Sequence, residues 1–453
     1  MSPLKLTKTK KKRRRWPIFL AIVLVLLIAG YFNRIRLERV IIAVTISRMH
    51  TFMPPPQLAS ESGWSRFWDE AEFYWDVSAL RVAREQRLAQ FNPTLKPLVK
   101  QIVKRQGAGN GMAYSMHIYR EIRWRLNFTP DTAATRARIA DLRLSLSQSA
   151  EQEAANNQQP ADGSWARGIN VWYLKLYYSV DQLKDSTHLK YRPAFLDSIN
   201  SPDKLKARLD ADLYDNFTKT GTFNREELDE TFSAIARLLF ATRPIDFSFH
   251  PGLKNALQDY VNNWQNTATG CWGQWLVDRK GRIWKMDDMA MTFHVISDLH
   301  GQVNHKDKIA KRVLALDSVE FPAGIRFDSH YENHLNWDVV KIFKYTWPAL
   351  DTATRKLAAA EISKILNWCL SQSCRPDGSF KISDLDDTMG DAYYYGVSFL
   401  ADAGYFSTKD CFWTKQDFPG GAALRAKIEA KIKSVGLSDS GMKDAWDVLQ
   451  GAK

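Results

Sequence analysis

Residues 265–272 read Gln-Asn-Thr-Ala-Thr-Gly-Cys-Trp, a short polar turn that ends on a tryptophan. Two other segments, starting at Gln159 and Gln372, have the same order of glutamine, spacer, glycine, any residue and aromatic residue. The three glycines, Gly163, Gly270 and Gly378, lie 107 and 108 residues apart. Even spacing is typical of repeated structural units, and a unit of this length has room for two helical hairpins.

The segments around the three turns have the apolar spacing of amphipathic helices, and alternating strand patterns are scarce. Asp131 and Asp351 each precede a Thr-Ala-rich segment and are predicted helix N-caps. The aromatic-rich segments that follow the turns, starting at Trp172, Met291 and Tyr393, are predicted to be helices. We therefore expect an all-α fold. Three such units would supply about six helical hairpins, which can close into an α/α toroid around a central cavity. The clearest helical spacing is that of Leu228, Phe232, Ile235 and Leu239.

The N-terminal region predicts a membrane anchor. Residues 1–15 contain eight Lys or Arg and no acid, and residues 16–32 carry no charge. At about 1.5 Å per residue, this apolar run is at the short end of what spans a lipid bilayer. Because positive charges stay on the cytoplasmic side, the globular part is expected in the periplasm or outside the cell. A cleaved signal peptide is the alternative, but the long basic region and the lack of a small-residue cleavage site favour an anchor.

The remaining chain is expected to divide into linking helices at 33–90, the toroid at 91–440 and a C-terminal tail at 441–453. The net charge is +13, but 11 of the basic residues and one acid precede residue 40. Most of the charge therefore belongs to the anchor region, and nucleic acid is not an expected partner.

The chain has four cysteines, too few for a disulfide framework. Ordinary buried thiols are expected, although Cys369 and Cys374 are close enough in sequence to form a bridge. No CxxC or HExxH pattern occurs, so the sequence predicts no metal site and no cofactor.

The three turns resemble the QW motif of terpenoid cyclases and related prenyltransferase toroids, where the motif is structural. Residues 384–388 read Asp-Leu-Asp-Asp-Thr, which resembles the DxDDT motif of class II terpene cyclases such as squalene–hopene cyclases. The resemblance covers about residues 90–440. It implies that Asp386 protonates an isoprenoid alkene or epoxide, with Asp384 and Asp387 as its carboxylate neighbours. Clustered carboxylates cannot all ionise cheaply, so one of them keeps a proton.

A second set of acids and histidines suggests a polysaccharide hydrolase or lyase. A glycosidase needs a carboxyl pair about 5–5.5 Å or 6.5–9.5 Å apart, whereas a lyase needs a Tyr or His base near a group that neutralises the uronate. Within this set, His330 and His334 would share one face if they lay in a helix. A third possibility is a non-catalytic binding module tethered to the membrane, because one fold can host unrelated functions. The candidate residues are Asp287, Asp288, His294, Asp328, His330, Glu332 and His334.

Overall fold

The computed structural model describes residues 69–86 and 118–148 in part, and residues 158–451 except 167–168, 187, 222, 242, 384–387, 408, 410 and 438–439. The chain divides into two compact units, residues 1–49 with 60–79 and residues 50–59 with 80–453. The described residues of the first unit, between 69 and 79, are helical. The predicted tail and anchor, 1–32, lie outside the described residues. Among the helices that are described, none is long and apolar enough to cross a membrane.

The second unit is mostly helical, which confirms the all-α class. One small sheet has the order β1-β2-β3, with β1 parallel to β2 and β2 antiparallel to β3. Its strands are β1 (Tyr214–Asp215), β2 (Trp275–Val277) and β3 (Ile283–Lys285). The helices are α1 (Ala133–Gln148), α2 (Trp172–Asp185), α3 (Pro202–Leu213), α4 (Phe217–Thr220), α5 (Arg225–Leu239), α6 (Leu253–Trp264), α7 (Met289–Asp298), α8 (Lys306–Ala315), α9 (Asn333–Thr346), α10 (Thr352–Trp368), α11 (Met389–Asp402), α12 (Gly421–Val435) and α13 (Ser440–Leu449). Short 3-10 turns cover Ala194–Ser198 and Trp347–Ala349, and a π-helical turn, Cys369–Ser373, extends α10.

The helices of the second unit are arranged in one row with further helices packed on it. The row runs α2, α5, α7, α9, α11 and α13, and each helix contacts the next. The second set packs on this row, with α3 and α6 on α5, α8 and α10 on α9, and α12 on α13. Within the second set, α3 contacts α6 and α8 contacts α10. The three aromatic-rich segments predicted to be helices correspond to α2, α7 and α11, all of them in the row.

The predicted apolar faces and caps explain why these segments fold as helices. On α5, the four apolar residues at spacings of four and three are all buried. Asp351 caps α10 by accepting a hydrogen bond from the Thr354 amide at 2.7 Å, as predicted. Thr388 and Asp391 form a capping box at the start of α11. The other predicted cap, Asp131, lies outside the described residues.

The three predicted turns share their glycine geometry. Gly163, Gly270 and Gly378 all have a positive φ, between 74° and 83°. In each turn the following aromatic residue, Trp165, Trp272 or Phe380, is at most 8% exposed. The repeat therefore places one large ring in the core after each left-handed turn.

The glutamine of the first turn is Gln158, so the choice of Gln159 from the sequence was wrong. Gln158 Nε2 donates to the Gly163 carbonyl at 2.9 Å, as Gln265 Nε2 donates to the Gly270 carbonyl at 2.7 Å. Gln159 instead accepts through its backbone carbonyl from the Gly163 amide at 2.8 Å. Gln158 and Gln265 both precede their glycine by five residues. This separation lets the glutamine side chain reach across the turn.

In the third turn, Gln372 is exposed and has no corresponding role. The Arg375 amide donates to the Ser379 carbonyl at 2.8 Å, the backbone bond that Gln159 makes with Ser164 in the first turn at 2.7 Å. Cys374 therefore occupies the position of the glutamine. The π-helical turn before it shifts Gln372 away from the glycine.

Gly163→Ala is expected to destabilise the chain more than Gly281→Ala. Both glycines have a positive φ, 74° and 76°, which costs an alanine roughly 1–2 kcal/mol. A Cβ at Gly163 would also lie 2.7 Å from Pro193 Cα, whereas one at Gly281 would meet nothing within 4 Å. This overlap should add about 1–3 kcal/mol to the loss. Urea unfolding of both variants measures the difference, and equal losses would show that the close approach is unimportant.

Candidate functional site

The first two turns of α5, α7 and α9, together with the N-cap residue of α7, bring six ionisable residues together inside the second unit. The helices α5 and α7 run in the same direction, because Arg225 pairs with Asp288, Asp229 with His294, and Ser233 with Asp298. His334 lies on α9, the helix that follows α7 in the row. We call this group the interior acid–base cluster. It consists of Arg225, Asp229, Asp288, His294, His334 and Asp338.

Arg225, the first residue of α5, links two carboxylates of the cluster. Its guanidinium donates two hydrogen bonds to Asp288, one of them from Nη2 at 2.9 Å. The same Nη2 lies 3.7 Å from Asp229 Oδ2. Asp288 also caps α7 by accepting from the Met291 amide at 3.0 Å. Burial alone would lower the pKa of Arg225, but the Asp288 carboxylate outweighs it and raises the pKa. The guanidinium therefore keeps its charge.

His294 is the charged histidine of the cluster. Its Nδ1 lies 2.7 Å from Asp229 Oδ1. Burial alone would lower the pKa of His294, but the Asp229 carboxylate outweighs it and raises the pKa to about 10. The side chain is 26% exposed, so solvent reaches the cluster at this point. At neutral pH, His294 and Asp229 therefore form an imidazolium–carboxylate pair.

His334 is the neutral histidine. Its ring stacks on Tyr395, with centroids 4.0 Å apart and planes inclined by 6°. Burial, and then the positive charge of His294, lower the pKa of His334 to about 4. Its Nδ1 is buried and has no hydrogen-bond partner among the described residues. A neutral imidazole with an unpaired nitrogen can accept a proton.

Asp338 lies one helical turn after His334 and shares its face of α9. The residue is 2% exposed, and its Oδ1 has no hydrogen-bond partner within the described part of the chain. Burial raises the pKa of Asp338 well above its usual value. A carboxyl group in this setting keeps its proton and can donate it.

Aromatic rings form the wall of the cluster on the α11 side. Trp337 contacts Phe293, Tyr394 and Tyr395, with ring centroids 5.2, 5.3 and 6.1 Å apart. The indole is fixed because its Nε1 donates to Asp402 Oδ2 at 2.8 Å. The wall therefore offers half-buried, rigid rings beside the acid and the base.

Three residues of the predicted alternative site belong to the interior acid–base cluster. Asp288, His294 and His334 meet, whereas Asp287 turns the other way. Asp287 accepts hydrogen bonds from Thr269 Oγ1 at 2.8 Å and Arg312 Nε at 2.7 Å, so it ties the second turn to α8.

The other predicted site residues lie elsewhere. Asp328 and His330 are exposed in the loop before α9, and Asp328 has a φ of 48°. Because α9 begins only at Asn333, His330 does not share a helix face with His334. Glu332 is half-buried at the N-cap position of α9. The predicted cyclase residues, Asp384, Asp386 and Asp387, lie outside the described residues.

Three members of the cluster, Arg225, Asp229 and Asp338, were missed from the sequence. Asp229 follows the apolar Leu228 on α5, where it looks like an ordinary polar residue of an amphipathic helix. Asp338 offered a clearer signal, because apolar residues flank it on both sides, Trp337 before it and Val339 after it. An ionisable residue inside such a run is rarely buried without a special role.

The two histidines should give stability opposite pH dependences. His294 has a folded pKa of about 10, above its ordinary 6.5, so its contribution is fully present below pH 6.5 and is lost as pH rises through about 10. His334 has a folded pKa of about 4, below its ordinary 6.5. Its contribution to stability is therefore fully present above pH 6.5 and is lost as the pH falls through about 4. We expect His294→Gln to flatten the alkaline limb of the stability curve and His334→Gln to flatten the acid limb. Urea unfolding from pH 4 to 10 tests this, and unchanged limbs would refute the assigned charges.

The four cysteines are free thiols in the structure, and Cys271, Cys369 and Cys374 are buried as predicted. Within the described ranges, no group of three or more His, Cys, Asp or Glu side chains is placed to hold a metal ion. Comparison of the chain with protein-family models, with curated proteins and with solved structures finds no match in any of the three.

Proposed function

We propose that the chain is a polysaccharide lyase that acts outside the cytoplasm, with the interior acid–base cluster as its active site. The observation that carries the proposal is that His334 Nδ1 and Asp338 Oδ1, one helical turn apart on α9, are buried without hydrogen-bond partners among the described residues. Burial lowers the pKa of His334 and raises the pKa of Asp338. Environments that push the pKa values of neighbouring groups apart mark the base and the acid of a reaction. Hydrolysis of a polysaccharide by the same groups is the alternative.

The proposed reaction is a β-elimination at a uronate residue. His334 removes the proton next to the uronate carboxylate, and the electron pair of that C–H bond forms the new carbon–carbon double bond. The bond from the sugar to the leaving oxygen breaks, and Asp338 gives this oxygen its proton. Arg225 and His294 supply the positive charge that stabilises the carboxylate as negative charge builds on it.

The aromatic wall supports a sugar substrate. Trp337 and Tyr395 present rigid half-buried rings next to His334. Such rings provide large apolar faces with little loss of conformational freedom on binding. In the proposed complex, a sugar ring would lie against Trp337, with His334 and Asp338 at its edge.

The fold proposal is an α/α toroid tethered by an N-terminal transmembrane helix. The row of α2, α5, α7, α9, α11 and α13, with further helices packed on it, supports the toroid. The repeated left-handed turns at near-constant spacing support it as well. The anchor at 16–32 and the exterior location stay predictions from the basic N-terminus.

The class II cyclase hypothesis stays a separate prediction, because its motif lies outside the described residues. The cluster itself favours sugar chemistry over it. Arg225 and His294 are paired with Asp288 and Asp229, so these ion pairs leave no uncompensated negative charge to stabilise a carbocation. A purely binding function is less favoured, since it does not require an unpaired base next to a protonated acid.

The proposal is tested by incubating the full-length chain with uronate-containing and neutral polysaccharides. A lyase gives chain ends with a carbon–carbon double bond, which absorb ultraviolet light, and it acts on the uronate polymers alone. A hydrolase gives new reducing ends without this absorbance. His334→Gln, prepared in the same way, should lose activity but unfold at a urea concentration similar to that of the wild-type chain. Failure to cleave any member of the panel would overturn the proposal.

A further inference from the structure

A cleft of about 280 Å³ opens between α3, α6 and the strands β1 and β2. None of its lining residues belongs to the interior acid–base cluster. Its volume is close to the lower limit of roughly 300 Å³ for small-molecule pockets. The cleft is therefore a second candidate site, sized for a small ligand and separate from the proposed active site.

Four aromatic residues line this cleft: Tyr214, Tyr260, Trp264 and Trp275. Tyr214 and Trp275 are partners across the β1–β2 pairing, and their rings meet edge to face at 5.2 Å. Tyr260 and Trp264 come from one turn of α6, with centroids 6.4 Å apart. Tyr214 is 42% exposed, an unusual degree of exposure for a large aromatic ring packed at a strand. The sheet and the helix thus hold the rings in place around an accessible space.

The polar lining of the cleft is mainly negative. It contains three acids, Asp203, Asp210 and Asp259, and one lysine, Lys206. The lysine is already paired with Asp210, which also accepts a hydrogen bond from the Tyr260 hydroxyl at 3.1 Å. Burial and Asp210 both raise the pKa of Tyr260, so this phenol stays neutral. Asp203 and Asp259 remain as exposed negative charges at the rim.

Trp275 also contacts a cation outside the lining. The Lys285 ammonium group lies 4.0 Å from the centroid of its ring. Lys285 therefore already occupies one face of the indole, and a ligand in the cleft would contact the remaining surface of the ring. Aromatic faces combined with carboxylates are the usual surroundings of bound organic ammonium ions.

We propose that the cleft lined by Trp275, Tyr214, Tyr260 and the three aspartates binds an organic ammonium ion. The rings would contact the alkyl groups on nitrogen, and Asp203 and Asp259 would compensate its charge. A neutral sugar or alcohol of the same size would gain the apolar contacts but not the electrostatic attraction.

The test compares choline with 3,3-dimethylbutan-1-ol, its uncharged analogue, by isothermal titration calorimetry on the full-length chain. Choline is expected to bind at least about tenfold more tightly than the alcohol. Asp259→Asn and Trp275→Phe should each weaken choline binding several-fold. Asp307→Asn on α8 is a matched control, because this half-exposed acid lies outside the cleft, and it should leave binding unchanged.

Three results would overturn the proposal. They are equal binding of choline and the alcohol, choline binding that both cleft variants leave intact, and no binding of either choline or the smaller tetramethylammonium ion to the wild-type chain. Assays of polysaccharide cleavage by the cleft variants separate this site from the proposed active site, since cleavage should be unaffected. If His334→Gln loses cleavage but still binds choline, the cleft and the proposed active site are independent sites.

Discussion

Replacement of Asp338 by asparagine is expected to lower kcat for polysaccharide cleavage by roughly 10²- to 10⁴-fold, the usual contribution of a general acid. The amide has nearly the same shape but cannot give a proton to the leaving oxygen. Because Asp338 is buried and keeps its proton, the substitution also introduces no new charge change in the core. The expected result is therefore a large loss of kcat at nearly unchanged stability, measured by initial rates and urea unfolding.

Asp298→Asn is the matched control for this variant. Asp298 is also an acid on the row of helices, but it accepts a hydrogen bond from Ser233 Oγ at 2.7 Å, and its link to the cluster is its share in raising the pKa of His294. An asparagine can still accept this bond, so kcat should stay within a few-fold of the wild-type value. An Asp338→Asn variant with full activity would show that another group supplies the proton.

Arg225→Leu is expected to lower the free energy of unfolding by about 3–5 kcal/mol, the usual cost of breaking a buried ion pair by removing one partner. Leucine would leave the Asp288 carboxylate buried without the two hydrogen bonds from Arg225. It would also remove the positive charge that lies 3.7 Å from Asp229. Urea unfolding of the full-length chain measures this loss.

Two further variants make the Arg225 result interpretable. Arg192→Leu removes the arginine of an exposed pair with Asp197, and little change is expected because such surface pairs contribute little. The double variant Arg225→Leu/Asp288→Leu removes both charges of the buried pair and should recover part of the loss. A loss below about 1 kcal/mol in Arg225→Leu would mean that the pair is not the main support of the cluster.

The mostly helical class could be predicted from the apolar spacing, and the position of the three turns from the repeat. The glycine spacing placed three equivalent turns, and all three glycines adopt the left-handed conformation. The identity of the glutamine in the first turn could not be predicted, because Gln158 and Gln159 are adjacent and only the reach across the turn distinguishes them. The third turn departs from the pattern because a π-helical turn precedes it, and nothing in the sequence marks such an insertion.

The site was harder to predict, because its members come from three helices. Asp287 and Asp288 are neighbours in extended backbone, so their side chains point to opposite sides, and only one joins the cluster. Proximity in sequence likewise suggested His330, which lies before the helix that carries His334. In the sequence, Asp229 could not be distinguished from the other polar residues of α5. Its role depends on His294, which lies 65 residues later in the chain.

The most direct test of the account assays Asp338→Asn and Asp386→Asn in parallel on polysaccharide and isoprenoid panels. The proposed lyase activity predicts that the wild-type chain cleaves a uronate polysaccharide, that Asp338→Asn lowers this cleavage by at least about 10²-fold, and that Asp386→Asn leaves it within a few-fold. Cyclisation of an isoprenoid by the wild-type chain, lost in Asp386→Asn but retained in Asp338→Asn, would contradict it.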